Sequence, residues 1–403
     1  MNKVQQATAN LSNLPIKMIM QRLKVPTPPV LEGPDMVLRF PEVIAVTGVR
    51  RVLIVAGPTV SASGMIDPFI DALKQNGIDA VLYDKTMPNP TIQNVYDAVK
   101  VYNTRHCDAV VGFGGGSSLD CAKIVAAKAT NDIPVEHMDG AFKLRFRATP
   151  FFAVPTTSGS GSECSIASVI TNPETKTKNL IADTRLIPLA VCLDPKLAAS
   201  MPPSVTAATG MDALTHAIEA YVGDMDTSFV RDKALTAGAE IFAHLENAYI
   251  DGDNLDERMA MMHAAFFAGE AFTRGFVGYV HAFAHAIGAR YDLSHGKLNA
   301  MLLPHVLRFY LKSKKATAKL SEFAYNAGLG ELTEDDRTLA EALITRIEDM
   351  NAAMDIPAVT DAINPDDVPE LVDHALSEAW LYPVPVVMTQ GDGMRLIAAI
   401  SAC

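Results

Sequence analysis

A change of pattern near residue 197 constrains the fold of this chain more than any other feature of its sequence. Between about residue 50 and residue 196, short runs rich in β-branched residues alternate with helical stretches. The clearest strand-like runs are 51–56, 79–83, 108–113 and 151–155, and a helical stretch over 65–75 ends just before Gly77. Strands that alternate with helices of this length predict βαβ units and a parallel sheet.

After Asp194-Pro195 the β-branched runs vanish, and Ala, Met, Leu and His recur at helical spacing up to the C-terminus. A chain of 403 residues is long enough for two domains. We therefore predict an α/β domain over residues 1–196 and an all-helical domain over residues 197–403. The apolar residues around Val37 to Phe40 are predicted to form an exposed strand that pairs across an oligomer interface.

Composition limits the kinds of binding partner and the cellular compartment that we expect for this chain. The formal net charge is −12 and Lys and Arg form no long run, which argues against a nucleic-acid partner. The five cysteines are widely spaced and form no Cys-x-x-Cys pair, which favours a reducing compartment. The N-terminus has no signal-peptide pattern, and no apolar stretch reaches the about 18 residues of a membrane span. We expect a cytoplasmic protein that binds no membrane.

A glycine-rich turn, Gly112-Phe-Gly-Gly-Gly-Ser-Ser118, joins a predicted strand to a helix. Glycine lets the backbone approach a ligand closely, and a helix N-terminus offers free N–H groups and a positive dipole end. Ser117 is placed to cap this helix, with Asp120 three residues later. The turn is a candidate pyrophosphate cradle, although Ser117 stands where a Gly-x-Gly-x-x-Gly fingerprint needs glycine. A tight turn that binds nothing is the alternative.

A second loop of small residues, Pro155-Thr-Thr-Ser-Gly-Ser-Gly-Ser-Glu163, also follows a predicted strand. Its hydroxyls and backbone amides could donate to a phosphate or a carboxamide, and a flexible linker is the alternative. In parallel α/β sheets, ligands bind at the carboxyl ends of the strands, which is where both loops lie.

Histidines and one aspartate are concentrated in two segments of the second half. Asp212 and His216 are four residues apart, as are His281 and His285, and His295 follows. Residues at this spacing share one face of a helix. A carboxylate with imidazoles and no thiolate suits Zn²⁺ or Fe²⁺ at a site that is not a structural zinc site.

A single such pair often arises by chance on the surface or is a hydrogen-bonded pair in the core. Two pairs in an apolar context favour a metal site. Two glutamates near these motifs, Glu163 and Glu219, are either neighbours of the site or plain surface residues.

Taken in order, these motifs resemble those of the iron-containing (group III) alcohol dehydrogenases. The matching pieces are Gly114-Gly-Gly-Ser-x-x-Asp-x-x-Lys123, the loop from Pro155 to Glu163, Asp194-Pro, Met201-Pro, Gly210-Met-Asp-Ala-Leu-Thr-His-Ala-Ile-Glu219 and His281-x3-His285-x9-His295-Gly. They cover roughly residues 25 to 310, and the last hundred residues match only loosely.

The resemblance implies a dehydroquinate synthase-like architecture, with a dinucleotide-binding α/β domain, a helical domain and a metal in the cleft between them. It implies that Asp212, His216, His281 and His295 ligate Fe²⁺ or Zn²⁺, unlike a metal-free branch such as maleylacetate reductase. His285 would face the reacting centre without ligating. The residues implied to line NAD or NADP are Asn89, Gly115, Gly116, Ser117, Thr156, Thr157, Ser160 and Lys178.

One departure from the family pattern concerns the cofactor. After the first strand, the family commonly has an Asp near the adenosine ribose, where this chain has Gly57. Such an Asp binds the ribose 2′-hydroxyl and repels a 2′-phosphate. Since Gly57 does neither, we expect it to line a site that tolerates or prefers NADPH.

The implied reaction moves a hydride between NAD(P)H and a small primary alcohol or aldehyde, with the metal activating the substrate oxygen and His285 passing the proton. Phe272, Phe276 and Phe283 either line an apolar pocket or belong to the core. The alternatives are a glycerol-type polyol dehydrogenase, a dehydroquinate synthase-like lyase, which would need more basic residues near the motifs, and a non-catalytic metal- or nucleotide-binding protein. The resemblance also implies a homodimer or a larger homo-oligomer.

Overall fold

The structure, a computed structural model, describes residues 25–174, 177–225, 227–331 and 333–402. It divides into two compact units, one made of Val25–Met201 with Gly252–Met262, the other including Pro202–Asp251 and His263–Cys403. The predicted boundary between residues 196 and 197 lies inside a short helix, Pro195–Ala199, and stays a prediction. Among the described residues, no helix combines the length and the apolar character that crossing a bilayer requires.

The first unit contains two sheets. Its strands are β1 (Val30–Glu32), β2 (Arg51–Val55), β3 (Asp79–Tyr83), β4 (Ala109–Gly114), β5 (Gly140–Ala141), β6 (Phe151–Pro155), β7 (Ala167–Asn172), β8 (Thr177–Ala182) and β9 (Ala190–Leu193). The main sheet has the strand order β1-β9-β6-β4-β2-β3, and every pairing in it is parallel. The second sheet has the order β5-β8-β7, in which β7 and β8 are antiparallel.

The helices of this unit are α1 (Met36–Ala45), α2 (Pro58–Ala62), α3 (Asp67–Gln75), α4 (Ile92–Thr104), α5 (Gly116–Lys128) and α6 (Pro195–Ala199). The central strands β4 and β6 are buried at every residue, as expected for parallel strands that are covered on both faces. The parallel sheet and its four predicted strands are therefore confirmed.

The region around Val37 to Phe40 is a correction, because these residues lie in α1 and not in a strand. Phe40 is fully buried in the core, and the backbone N–H of Val37 donates to the Asp194 carboxylate at 3.1 Å. An apolar run of this length fits the buried face of a helix as well as a strand. The predicted pairing of this segment as a strand is therefore wrong.

The second unit is helical. Its helices are α7 (Pro203–Val222), α8 (Ser228–Ile250), α9 (Leu255–Gly275), α10 (Tyr279–Tyr291), α11 (His295–Tyr310), α12 (Lys314–Asn326), α13 (Asp336–Ala353), α14 (Val368–Glu378) and α15 (Gln390–Ile400), with the start of α9 grouped with the first unit. Over the part of this unit that the structure describes, the only β pairing is an isolated bridge between Thr360 and Ser401. The predicted change from α/β to helical structure is confirmed.

Candidate functional site

Helix α7 carries the first two candidate metal ligands, Asp212 and His216. The helix is buried at nearly every position from residue 206 to residue 222. Gly210 brings it against α8, because a Cβ there would lie 2.2 Å from a methyl carbon of Leu245. Asp212 and His216 lie one turn apart on the same face, and they are only 7% and 6% exposed.

His281 from α10 and His295 from the start of α11 complete a cluster around Asp212. One ligand atom each from Asp212, His216 and His281 lie within 4.8 Å of one another. The Oδ1 atom of Asp212 is 3.6 Å from Nε2 of His281 and 3.5 Å from Nε2 of His295. The structure thus brings one carboxylate and three imidazoles together, a donor set that suits Zn²⁺ or Fe²⁺.

A glycine next to His295 sets how closely α11 approaches α7. A Cβ at Gly296 would lie 2.1 Å from the carbonyl oxygen of Ala208, so no side chain fits at this position. The two helices therefore meet backbone to backbone beside the cluster.

Glu219 lies behind His281. Its carboxylate accepts hydrogen bonds from Nδ1 of His281 at 2.7 Å, from the N–H of Gly278 at 2.8 Å and from the N–H of Val280 at 2.7 Å. A proton held on Nδ1 leaves the lone pair of Nε2 directed at the cluster, as in metal-ligating histidines. Glu219 is 2% exposed, which excludes the surface alternative for this residue.

The buried carboxylates of Asp212 and Glu219 stabilise positive charge in the cluster. Burial alone would raise the pKa of Asp212, but His216, His295 and His281 together lower it far below the usual range. Burial alone would lower the pKa of His281, but hydrogen bonds to Asp212 and Glu219 outweigh it and raise that pKa to about 9. The pocket thus stabilises positive charge on its imidazoles, and a divalent metal in their place would meet the same carboxylates.

Asn299 is a member of the cluster that the sequence did not reveal. It is fully buried on α11, one turn after His295. Its amide nitrogen lies 2.7 Å from Oδ1 of Asp212 and 3.2 Å from Nε2 of both His281 and His295. The four-residue spacing from His295 is the signal that could have indicated it.

His285 lies one turn beyond His281 on α10 but makes a different set of contacts. Its ring stacks on the ring of His295, with centroids 5.0 Å apart. Its Nδ1 lies 2.7 Å from Oε1 of Glu378, which also accepts a hydrogen bond from the hydroxyl of Tyr382 at 2.6 Å. Burial acts to raise the pKa of Glu378, but His285 and Tyr382 outweigh it and lower that pKa.

The three phenylalanines named above lie in different surroundings. The ring of Phe272 stacks on His216 with centroids 4.4 Å apart, so it lies at the cluster. Phe283 is fully buried, and a Cβ on Gly393 would lie 3.0 Å from its ring, so it belongs to the core. Phe276 is partly buried and takes a left-handed backbone conformation between α9 and α10.

The glycine-rich turn in the first unit starts α5. The N-cap of this helix is Gly115 and makes no side-chain capping bond, so the predicted cap by Ser117 is wrong. The first turn begins at Gly116, and its N–H groups are not consumed by a capping side chain. This fits the backbone cradle that a phosphate group needs.

The loop 155–163 packs directly on this turn. A Cβ on Gly115 would lie 3.1 Å from Cγ2 of Thr157, and one on Gly116 would lie 2.8 Å from Cβ of Ser160. The N–H of Thr156 donates to the carbonyl of Gly114 at 3.1 Å. The structure therefore brings together Gly115, Gly116, Ser117, Thr156, Thr157 and Ser160, and the glycines serve the packing of the two loops.

The other predicted cofactor residues lie nearby in the same unit. A Cβ on Gly57 would lie 3.2 Å from the carbonyl oxygen of Thr86 and 3.9 Å from Oγ of Ser118, which follows the glycine turn. Asn89 is exposed and left-handed, with φ of 56°. Lys178 pairs in register with Thr171, whose N–H donates to the carbonyl of Pro90 at 2.7 Å. Lys178 thus lies beside Thr171, and Asn89 directly precedes Pro90, which contacts Thr171.

Two charged residues of the first motif hold the end of the second loop and the residues that follow it. Lys123 is fully buried, and its Nζ donates to the carbonyls of Ser165 at 2.9 Å and Ala167 at 2.7 Å. Asp120 accepts from the hydroxyl of Ser162 at 2.6 Å and from the N–H of Val169 at 2.8 Å. We call this pair, Asp120 and Lys123, the loop clamp.

Burial lowers the pKa of Lys123 to about 8 and raises the pKa of Asp120. Glu163, in the clamped loop, is 2% exposed, and its burial raises its pKa to about 7. The surface alternative for Glu163 is therefore also excluded.

Comparison with known proteins gives matches along nearly the whole chain. A family model described as iron-containing alcohol dehydrogenase matches residues 27–195, and one for the C-terminal region of the Fe-containing alcohol dehydrogenase family matches residues 206–401. Alcohol dehydrogenase 4 of Saccharomyces cerevisiae is 36% identical over 348 residues, which cover 86% of this chain and 90% of that protein. The 1,3-propanediol dehydrogenase of Citrobacter freundii is 36% identical over 361 residues, which cover 88% and 92%.

A solved structure agrees with these matches. The crystal structure of a 1,3-propanediol oxidoreductase superposes with a TM-score of 0.90 at 32% identity, covering 93% of this chain and 98% of that chain. The likeness extends over the sheet-containing and the helical parts alike, which confirms the predicted dehydroquinate synthase-like fold class.

Proposed function

The chain belongs to the iron-containing alcohol dehydrogenase family, and from that premise we propose how it performs nicotinamide-linked alcohol oxidoreduction. Asp212, His216, His281 and His295 would hold a divalent cation, Fe²⁺ or Zn²⁺. NAD or NADP would supply the hydride chemistry for the carbon of a small primary alcohol or aldehyde. The observation that carries the proposal is the convergence of one buried carboxylate and three imidazoles.

When bound, the cation supplies Lewis-acid chemistry that favours the deprotonated alcohol and, in the reverse direction, polarises the carbonyl. The chain's own residues prepare the site for it. Glu219 keeps the proton of His281 on Nδ1, and Asn299 contacts three of the four ligand side chains. Phe272 covers the ring of His216 and offers an apolar surface next to the reacting centre.

His285 is the proposed proton-handling residue. In alcohol oxidation its Nε2 takes the hydroxyl proton while the hydride leaves the adjacent carbon, and in aldehyde reduction the proton returns. The bond from Nδ1 to Glu378 leaves Nε2 as the ring atom available for this transfer. A substrate proton then has a defined acceptor that is not among the metal ligands.

The cofactor is proposed to bind over the start of α5. The N–H groups at Gly116 and Ser117 and the hydroxyls of Thr156, Thr157 and Ser160 would hold its phosphates and carboxamide. Lys178, which pairs with Thr171, and Asn89, which precedes Pro90, complete the proposed lining near the β7–β8 sheet.

Gly57 bears on the choice of cofactor. It follows β2 as the N-cap of α2, where the family commonly has a ribose-binding Asp. With no carboxylate at this position, nothing there repels a 2′-phosphate. We infer that the chain accepts NADPH as well as NADH.

The substrate is proposed to be a short, unbranched alcohol or aldehyde. Relatives of the chain include proteins named for 1,3-propanediol, methanol and 1-propanol. A small diol is therefore within the proposed range, and the glycerol-type polyol alternative can be tested with the same panel. The homo-oligomer stays a prediction, measurable by light scattering.

The test is metal analysis combined with a substrate panel. We expect about one Fe²⁺ or Zn²⁺ per chain by mass spectrometry, and NAD(P)H oxidation with short aldehydes that stops after chelation and returns when the metal is restored. Unchanged activity in metal-stripped protein would refute the metal-dependent mechanism. Faster turnover of glycerol than of any primary alcohol would support the polyol alternative, and no turnover of any substrate would support a binding protein.

A further inference from the structure

We propose that Glu378 is the positioning residue for His285, and that Tyr382 holds Glu378 in place. This inference rests on the proposed proton-handling function of His285 and deepens it. The three side chains form a hydrogen-bonded chain, Tyr382–Glu378–His285, which we call the relay support. None of the motifs that indicated the metal ligands includes Glu378 or Tyr382.

The hydrogen bonds of the relay support are short and meet at one atom. A single oxygen of Glu378, Oε1, lies 2.7 Å from Nδ1 of His285 and 2.6 Å from the hydroxyl of Tyr382. Tyr382 is buried, and its hydroxyl donates this hydrogen bond to the carboxylate. Charge-assisted bonds at this distance are among the stronger ones in proteins. The tyrosine therefore fixes the carboxylate, and the carboxylate fixes the imidazole.

The bond decides which ring nitrogen of His285 faces the chemistry. An ionised carboxylate can only accept, so Nδ1 of a neutral His285 carries the hydrogen. Nε2 then keeps its lone pair and can accept a proton from an alcohol. The stacking of His285 on His295, at an interplanar angle of 15°, fixes the ring in the remaining direction. Without Glu378, both the tautomer and the ring orientation would lose this constraint.

A comparison with His281 on the same helix supports a distinct function for this pair. Both histidines have a glutamate on Nδ1 at 2.7 Å. The side chain of Glu219 is 1% exposed and that of His281 3%, whereas the values for Glu378 and His285 are 33% and 18%. The first pair is sealed in the interior, as a metal ligand and its support require. The second pair reaches solvent, as a group that exchanges protons requires.

The single tryptophan of the chain, Trp380, provides a control for local structure. It lies between Glu378 and Tyr382 and is 51% exposed. Its emission maximum therefore reports whether the segment 378–382 keeps its conformation in a variant.

The experiment compares Glu378→Gln, Tyr382→Phe, His285→Ala and the double variant His285→Ala/Glu378→Gln. We expect Glu378→Gln to lower kcat about 10- to 100-fold, the range seen when the hydrogen-bond partner of a metal-ligating histidine is changed. KM for the aldehyde, metal content and Trp380 emission should stay at wild-type values. Tyr382→Phe should cause a smaller loss of kcat. The matched control is Glu370→Gln, which changes an exposed glutamate of the same helix and should leave kcat unchanged.

The double variant separates positioning from an independent structural effect. If Glu378 acts through His285, the double variant has the same kcat as His285→Ala, because the second change has nothing left to position. Additive losses, a loss of metal, or a shifted Trp380 emission in Glu378→Gln would overturn the proposal, as would wild-type kcat. If His285→Ala itself keeps full kcat, the proposed proton transfer fails, and that outcome is distinct from a slow His285→Ala with a fully active Glu378→Gln.

Discussion

The candidate metal cluster lies in one unit, and the glycine-rich turn with the loop 155–163, which we propose to hold the nucleotide, lies in the other. The two sites are built from different parts of the chain. The cluster consists of side chains on long helices, with Asp212 and His216 on α7 and His281 on α10. The nucleotide loops offer mainly backbone, at a turn where Gly115 and Gly116 leave no room for side chains. The difference teaches that residue spacing in the sequence can indicate chelating side chains. A backbone cradle depends on how two loops pack, which residue spacing does not predict.

The largest expected effect comes from removing a side chain of the cluster. His281→Ala should abolish metal binding and lower kcat by at least about 10³-fold, because Lewis-acid stabilisation contributes several kcal/mol. Mass spectrometry and NADH oxidation measure the two losses. His374→Ala, at an exposed histidine of α14, is the control and should change neither. Retained metal in His281→Ala would mean that the cluster is not the binding site.

The next largest effect tests the support behind that ligand. Glu219→Gln keeps the shape of the side chain but removes the charge that faces Nδ1 of His281. Metal affinity should fall about 10- to 100-fold, the usual cost of changing a residue that orients a ligand. Competition with a chelator measures it. Since Glu378→Gln is expected to lower the rate and keep the metal, equal metal loss in both variants would contradict the difference drawn between the two glutamates.

A change in the loop clamp tests the other site, which is built mainly from backbone. Lys123→Met removes the buried ammonium group that donates to Ser165 and Ala167. The free energy of unfolding should fall by about 2 kcal/mol, the value of hydrogen bonds from a charged group. NADH should bind more weakly, while metal content stays constant. Thermal denaturation and fluorescence titration measure these effects. The control is Lys100→Met, an exposed lysine on α4. Undiminished NADH affinity would show that the loop does not need the clamp.

The smallest expected effect concerns Gly57, near the glycine-rich turn. Gly57→Asp should shift the ratio of kcat/KM toward NADH by about tenfold, since a carboxylate repels a 2′-phosphate. A Cβ there lies 3.2 Å from the carbonyl of Thr86, so Gly57→Ala is needed to separate crowding from charge. Wild-type protein that already rejects NADPH would remove the reason for the change.

How far the sequence could predict this molecule follows from the same comparison. The four-residue spacings indicated Asp212, His216 and His281 without any fold, since helix geometry places such residues together. Glu219 and His281 are 62 residues apart, and His285 and Glu378 are 93 apart, so their contacts depend on how helices pack. Glu378 also lies in the C-terminal region where the family resemblance was weak.

The misassignments have physical reasons of their own. The segment from Val37 to Phe40 is apolar enough for either a strand or the buried face of a helix. The antiparallel pair β7 and β8 was not predicted, because polar residues such as Thr171 and Asn179 interrupt its apolar pattern. Ser117 looked like a helix cap, but the N-cap is Gly115, two residues earlier, and Asp120 is committed to the loop clamp.

The contact between Gly296 and Ala208 has a consequence for ionic radius. Because α11 and α7 meet backbone to backbone there, the two helices cannot move closer together through the repacking of side chains. Imidazole and carboxylate bonds to Zn²⁺ are about 2.0 to 2.2 Å long, whereas Ca²⁺ needs oxygen ligands at about 2.3 to 2.6 Å and more of them. Main-chain contact would therefore limit how far the proposed site can adjust to an ion as large as Ca²⁺.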